Sequence, residues 1–286
     1  MSKKLKSNFN ISEKTNAGIR CKLCPHFCVL EKDEIGKCRA RHNKDGEIRS
    51  IYMGSISALA IEDIEKKPFK HFLSGTKTLT YGSKGCSLFC KFCENHKISQ
   101  ISPSTKDYFG GGPVFIPLAK EKKCQSISMS YNEPTLSYEF LIDLAEQCRE
   151  NDLKFLLKTN AYVNKDPWKE ICRVTDAMNI DWKGSEDKFK FITGVNSYVL
   201  QDRIKEAYED GVHIEISLPL YYEDDELEEE VNIAGEFLSS IDKNITCHLL
   251  RISPSYQYDS FIFNSKNLKI SEKILSKYMN HVYIVI

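Results

Sequence analysis

The stretch Thr78-Leu79-Thr80-Tyr81-Gly82-Ser83-Lys84-Gly85-Cys86-Ser87-Leu88-Phe89-Cys90-Lys91-Phe92-Cys93 is a short apolar run that breaks at glycine and ends in three cysteines spaced C-x3-C-x2-C. Read as a buried strand followed by a loop, it places the thiols at the carboxyl end of that strand. Three thiolates this close on one loop can hold three irons of a cubane 4Fe–4S cluster, which leaves the fourth iron without a protein ligand. The competing readings of Cys86, Cys90 and Cys93 are a structural zinc knuckle or three buried thiols.

Outward from this stretch the apolar runs recur at 126–131, 154–159, 177–182, 214–220 and 247–252, with amphipathic segments such as 136–148, 199–208 and 227–238 between them. Continuous apolar strands alternating with helices predict a parallel sheet with helices outside. Six such units fall two short of a closed (β/α)8 barrel, and a helix over 271–279 with a strand over 282–286 adds part of a seventh. The expected fold class is therefore α/β: a partial (β/α)6 TIM-like barrel over residues 78–286, preceded by a cysteine-rich N-terminal extension over residues 1–77. The run Gly110-Gly111-Gly112-Pro113 reads as a flexible loop. The acidic run from Glu223 to Glu230 reads as the first turn and solvated face of a helix.

Barrels of this type carry their chemistry at the carboxyl ends of the strands. The second strand runs into Ser130-Tyr131-Asn132-Glu133-Pro134, which sets a carboxylate at the barrel mouth, able to accept a hydrogen bond from a ligand ammonium. The plainer alternative is that Glu133 and Pro134 start a helix at Thr135. Lys158-Thr159-Asn160 ends the third strand, Asp181-Trp182-Lys183 ends the fourth, and His248 and Arg251 sit on the last.

The cysteine spacing, the glycine before it and the aromatic before Cys93 resemble the radical S-adenosylmethionine (SAM) superfamily. In that family the amine and carboxylate of SAM bind the open iron. Ser130 to Pro134 stands where the family has Gly-Gly-Glu-Pro, and without glycines the backbone is not expected to approach the ligand in the same way. The strand-end set matches, in order, glycyl-radical activating enzymes such as the pyruvate formate-lyase activating enzyme, which carry Asp-Thr-Asn, Asp-Leu-Lys and a late His around SAM. The resemblance implies a SAM site formed by Ser130, Tyr131, Asn132, Glu133, Lys158, Asn160, Asp181, Lys183 and His248. Lys158 replaces an aspartate that helps those enzymes bind a monovalent cation; either its ammonium stands in for the cation or it reaches solvent. Longer runs (Glu65 to Phe72, Gly85 to Gln100, Tyr131 to Thr135, Thr159 to Tyr162, Asn179 to Gly184 and His248 to Tyr256) are similar to the AmmeMemoRadiSam-system radical SAM proteins. Two departures are Asn160-Ala161-Tyr162, where the family tends to have Asn-Gly-Tyr, and a chain that stops at Ile286, where relatives commonly continue with a cysteine-bearing tail.

Ahead of the barrel, Cys21, Cys24, Cys28 and Cys38 are spaced C-x2-C-x3-C-x9-C. Four thiolates close a tetrahedral zinc site or ligate every iron of a second 4Fe–4S cluster, and His26 is a spare ligand. Cys124, Cys148, Cys172 and Cys247 read as buried small hydrophobes. His71 either lines the mouth or caps a turn.

Lys plus Arg and Asp plus Glu number 40 each, so no global field draws the chain to nucleic acid, although Lys120 to Lys123 could form a local basic groove. No apolar run approaches the ~18 residues of a membrane span, no leader is read behind Met1 to Lys6, and an odd set of eleven cysteines suits a reducing cytoplasm. The resemblance implies an enzyme that takes an electron from reduced flavodoxin or ferredoxin and cleaves SAM to a 5′-deoxyadenosyl radical. That radical would then take a hydrogen atom from a protein or peptide. Radical modification of a small molecule or nucleobase is the alternative within enzymes. A non-catalytic iron–sulfur electron carrier is the alternative in another class, and it would have no use for Glu133, Asn160 or Asp181.

Overall fold

A computed structural model describes residues 9–102, 114–222, 224–258 and 264–285. The first eight residues, the glycine loop Gly110 to Pro113, Glu223 and Ile286 lie outside the described residues. The chain opens with a three-stranded antiparallel unit, β1 (Ser12–Thr15), β2 (Gly18–Cys21) and β3 (Val29–Leu30), followed by the hairpin β4 (Arg41–Lys44) and β5 (Glu47–Ser50).

An eight-stranded sheet makes up the rest. It begins with β6 (Ala58–Asp63), which pairs antiparallel with β7 (Lys77–Gly82) from Ala58 opposite Gly82 to Asp63 opposite Lys77. The segment expected to be an extension thus supplies the edge strand of the main sheet, and a boundary at residue 77 would cut this hairpin. The alternation of exposed Leu59 and Ile61 with half-buried Ala58, Ala60 and Glu62 is an edge pattern, too short to separate from loop by periodicity.

Parallel pairing then runs without a break. The helix α1 (His96–Ser99) and α2 (Phe115–Glu121) precede β8 (Ser126–Met129); α3 (Tyr138–Glu150) precedes β9 (Lys154–Thr159); α4 (Lys165–Val174) precedes β10 (Ala177–Asp181). Next come α5 (Glu186–Thr193), α6 (Leu200–Glu209), β11 (His213–Leu220), α7 (Asp224–Ile241), β12 (Thr246–Arg251), α8 (Lys266–Leu275) and β13 (Val282–Val285). The spatial order follows the chain from β6 to β13, and every pair after β6–β7 is parallel. This is the open TIM-like barrel read from the alternation, and β13 completes a seventh parallel strand. The strands are buried almost end to end, as in β8 and β11, which is why they read as continuous apolar runs. Helix α4 opens on Lys165-Asp166-Pro167, whose acidic Asp166 suits the first turn. Its Trp168 is fully buried and donates Nε1–H to the Arg203 carbonyl of α6 at 2.9 Å.

The segment between β6 and β7 crosses the amino-terminal end of the barrel and fills it. Ile64 and Phe69 pack on Leu156 and Ala177, each such side chain adding about 2 kcal/mol. Asn179 Nδ2 donates to the Pro68 carbonyl at 2.7 Å, and the backbone N–H groups of Lys70 and His71 donate to the Glu215 carboxylate at 2.8–3.0 Å. The same carboxylate, fully buried, takes His213 Nε2 at 3.1 Å and His248 Nε2 at 2.6 Å. His71 is therefore part of this plug, Nε2 meeting Tyr283 Oη at 2.7 Å, and neither lines the mouth nor caps a turn. Burial pushes the Glu215 carboxyl up, but the donors from His213, His248, Lys70 and His71 outweigh it and hold it down to about 2.

Glu215→Ala leaves those buried donors without a partner, a loss of roughly 3 kcal/mol or more in urea unfolding. Because the folded carboxyl sits below its unfolded value of ~4.3, its contribution is full above that pH and disappears as pH falls toward 2. The stability gap between wild type and Glu215→Ala is therefore expected to narrow across that window, and a gap independent of pH would contradict the assignment.

Candidate active site

One cavity of about 410 Å3 opens at the carboxyl ends of the strands. Cys86, Cys90 and Cys93 line it together with Ser130, Tyr131, Asn132, Glu133, Lys158, Asn160, Asp181 and Lys183. Eight of the nine strand-end residues singled out in the sequence thus share one cavity with the three thiols. His248 does not: it stands three residues before Arg251, held by Glu215 inside the plug. The parts of β12 and its exit that reach the cavity are Leu250, Arg251 and Ile252.

Glu133 caps the one-turn 3-10 helix Pro134–Ser137, its Oε1 accepting from Thr135 N at 3.1 Å and Thr135 Oγ1 at 2.7 Å, so the plain helix-start reading of Glu133-Pro134 holds. The same carboxylate does more. Oε1 also accepts from Thr159 Oγ1 at 2.7 Å, and Oε2 accepts from Asn160 N at 2.9 Å. With one donor on Oε2, a carboxylate oxygen retains room for another. Burial raises the Glu133 pKa against these donors.

Asn160 hangs from that bond, its Nδ2 lying 3.4 Å from Cys86 Sγ and 3.5 Å from Ser87 Oγ. Asn132 Oδ1 takes the Ser83 N–H at 2.9 Å and its Nδ2 donates to the Gly85 carbonyl at 3.1 Å, which ties the exit of β8 to the start of the cysteine loop. Tyr131 has φ 70° and Ala161 φ 54°, both left-handed. A left-handed backbone costs a residue with a side chain roughly 1–2 kcal/mol, so both positions carry strain that a glycine would not. Tyr131 offsets it by donating Oη–H to Glu62 at 3.0 Å while its ring lies 4.1 Å from Lys67 Nζ. Lys67 is buried and paired with Glu62 at 2.6 Å; nothing in its sequence setting marked it as a cavity residue.

The floor is electrostatic. Lys158 Nζ donates to Asn179 Oδ1 at 2.7 Å, Asp181 Oδ1 at 2.7 Å and Ser217 Oγ at 3.2 Å, so its ammonium is turned onto the sheet while the side chain stays partly exposed in the cavity. Lys183 Nζ holds the other Asp181 oxygen at 2.9 Å. Burial raises the Asp181 carboxyl, yet the two ammonium groups bring it down to about 2. Burial opposes the Lys183 ammonium too, but Asp181 and the nearby Cys90 raise its pKa. Asn179 and Ser217, fully buried and mutually bonded at 2.6 Å, complete the nest and could not be told from core positions by sequence.

The loop after β12 covers the cysteines from outside. Ser255 Oγ donates to the Cys93 carbonyl at 3.2 Å, Gln257 N to the Lys91 carbonyl at 2.9 Å, and Tyr256 stacks on His96 with centroids 4.9 Å apart. Cys247 is fully buried away from the cavity. The acidic run is only partly a solvated face: Glu230 turns inward and accepts from Ser185 N at 2.8 Å and Ser185 Oγ at 2.6 Å.

Residues 80–234 match the family model of the radical SAM superfamily. The chain belongs to that superfamily. It is 30% identical over 275 residues to an uncharacterized protein of Methanocaldococcus jannaschii, covering 92% of this chain and 81% of the relative. It is 27% identical over 151 residues to the pyruvate formate-lyase-activating enzyme of Clostridium pasteurianum, covering 49% of this chain and 60% of that enzyme. In fold it is similar to Streptococcus suis SuiB bound to its precursor peptide SuiA, with a TM-score of 0.55 at 16% identity over 69% of this chain and 46% of that one. This radical SAM enzyme has, among the described residues, no helix long and apolar enough to cross a membrane.

The ammonium of Lys158 is held by oxygens of Asn179, Asp181 and Ser217; if it stands in for a bound monovalent cation, SAM cleavage is expected to be the same in potassium, sodium or choline buffers. Formation of 5′-deoxyadenosine is the measurement, and strong stimulation by potassium or sodium would show that Lys158 does not substitute for a cation.

Proposed function

We propose that Cys86, Cys90 and Cys93 hold a 4Fe–4S cluster with one open iron, that SAM binds it across the strand ends, and that the substrate is a protein or peptide. The observation that carries the reading is the convergence of the three thiols and the ends of β8, β9 and β10 on one cavity. The donor set suits the group: three sulfurs on one loop, with Lys183 beside Cys90 to offset thiolate charge. When bound, the cluster supplies the electron that splits the sulfonium of SAM into methionine and a 5′-deoxyadenosyl radical, which removes a hydrogen atom from the substrate.

This chain's own residues orient and enclose. Glu133 lines the cavity, and its Oε2, which takes one donor from Asn160 N, is the oxygen that would accept a charge-assisted bond from the methionine ammonium. Lys158 and Lys183 set a positive floor toward which the carboxylate end of SAM turns, and Asp181 keeps both ammonium groups from moving. Phe92 and the loop of Ser255 to Tyr256 exclude water and stray thiols from the reactive space. The match to an activating enzyme, which acts on a protein, supports the substrate class.

Anaerobically reconstituted protein, reduced and given SAM, is expected to form 5′-deoxyadenosine. Cys90→Ala is expected to lose about four irons and all turnover. Fully loaded protein that forms none would be an electron carrier. With an extract of cells grown in deuterated medium, deuterium should enter 5′-deoxyadenosine from the macromolecular fraction. Transfer from the small-molecule fraction alone would point to a metabolite or nucleobase instead.

A further inference from the structure

We propose that Cys21, Cys24, Cys28 and Cys38 hold a second 4Fe–4S cluster, ligated at every iron by protein and placed in electronic contact with the first. The inference rests on the reading that Cys86, Cys90 and Cys93 bind the first cluster.

The four thiols sit where β2, the turn after it and the approach to β4 meet. Three are buried and Cys28 is half-buried. Backbone N–H groups of Leu23 near Cys21, of His26 near Cys24, and of Ala40 and Arg41 near Cys38 favour charged sulfur, although burial outweighs them and leaves the three free thiols with raised pKa values. Amide donors stabilise anionic sulfur, and buried neutral thiols have little use for them. The guanidinium of Arg41, fully buried and bidentate on Glu139, adds a positive charge next to Cys21 and Cys38. His26 is not a ligand through Nε2, which donates to the Ser87 carbonyl at 2.8 Å.

One observation favours a cluster over zinc. A zinc-folded module needs its metal because it lacks a core, but Ile11, Ile19, Leu23, Leu30, Ile48 and Tyr52 are buried here in one continuous core with the barrel.

Position completes the case. The Cys86 N–H donates to the Cys38 carbonyl at 3.2 Å, so one hydrogen bond joins a ligand of each site. Gly85 makes this possible: at φ 86°, a Cβ there would stand 2.7 Å from the Cys38 carbonyl oxygen and 2.7 Å from Ala40 Cβ. Arg39 adds a contact to Gln100 at 3.2 Å. With all four irons ligated, this site has no position for substrate and serves electron transfer. One electron from a low-potential donor protein, reduced flavodoxin or ferredoxin, reduces it and passes to the first cluster, returning it to the oxidised state with no bond made or broken.

The experiment uses full-length protein reconstituted without oxygen, with iron, sulfide and zinc counted and the reduced state read by electron paramagnetic resonance. About eight irons and no zinc are expected in the wild type, and about four in either Cys86→Ala/Cys90→Ala/Cys93→Ala or Cys24→Ala/Cys38→Ala. SAM should shift the spectrum of the second variant and leave that of the first unchanged. The fully reduced wild type should show spin–spin broadening absent from the sum of the two variants. About four irons with one zinc in the wild type, or an iron-free triple variant that circular dichroism shows to be folded, would overturn the proposal. An iron-free Cys24→Ala/Cys38→Ala protein beside a four-iron triple variant would sink the first-cluster reading, and with it the electron relay, while leaving the four-cysteine cluster itself standing. If either variant fails to fold, the wild-type metal count and broadening decide alone.

Discussion

The carboxylate of Glu133 is the joint on which the cavity is built. It is buried, and in place of water it takes four protein donors, two from the end of β9 and two from the turn that follows β8. Leaving such a group unpaired would cost more than any one of those bonds contributes, so the donors must come to it. That demand fixes Thr159 and Asn160 relative to Thr135, and Asn160 in turn reaches Cys86 Sγ. A position that reads as a helix start is thus also what sets the exits of β8 and β9 against the cysteine loop.

The second constraint is charge balance. Lys158 and Lys183 share one carboxylate, Asp181, and the three together leave a net positive charge beside three sulfur atoms that are thiolates when ligated. In a buried setting that arrangement is stable only with each ion paired and its remaining protons bonded. Asn179 and Ser217 meet that need for Lys158. The floor of the cavity is therefore built from three neighbouring strands, β9, β10 and β11.

A barrel this open must be closed at one end if chemistry at the other is to stay dry. The segment from Ile64 to Leu73 does so, with Phe69 buried and Glu215 gathering its backbone. This explains the fate of His248. On a strand rising about 3.3 Å per residue, it lies about 10 Å deeper than Arg251, within reach of Glu215 and out of reach of the cavity. Order along the sequence placed it among the ligand contacts; depth along the strand assigns it to the plug. The N-terminal unit likewise belongs to the body of the protein, sharing its core and contributing β6 to its sheet.

What the sequence by itself determined is local and periodic: the alternation of apolar strands and amphipathic helices, the cysteine spacings, and the polar residues at strand ends. These follow from the chemistry of single segments, since a strand covered on both faces must be apolar throughout and a cluster loop must present its thiols a few residues apart. Tertiary structure alone decided which polar groups meet. Lys158 turns inward because Asn179 and Ser217 lie across the sheet from it; Lys67 enters the cavity because Glu62 and Tyr131 hold it there. Cys38 touches Cys86 because a glycine lets two loops approach, nearly fifty residues apart in the chain. Such contacts depend on distances between segments remote in sequence, which no pattern within one segment encodes.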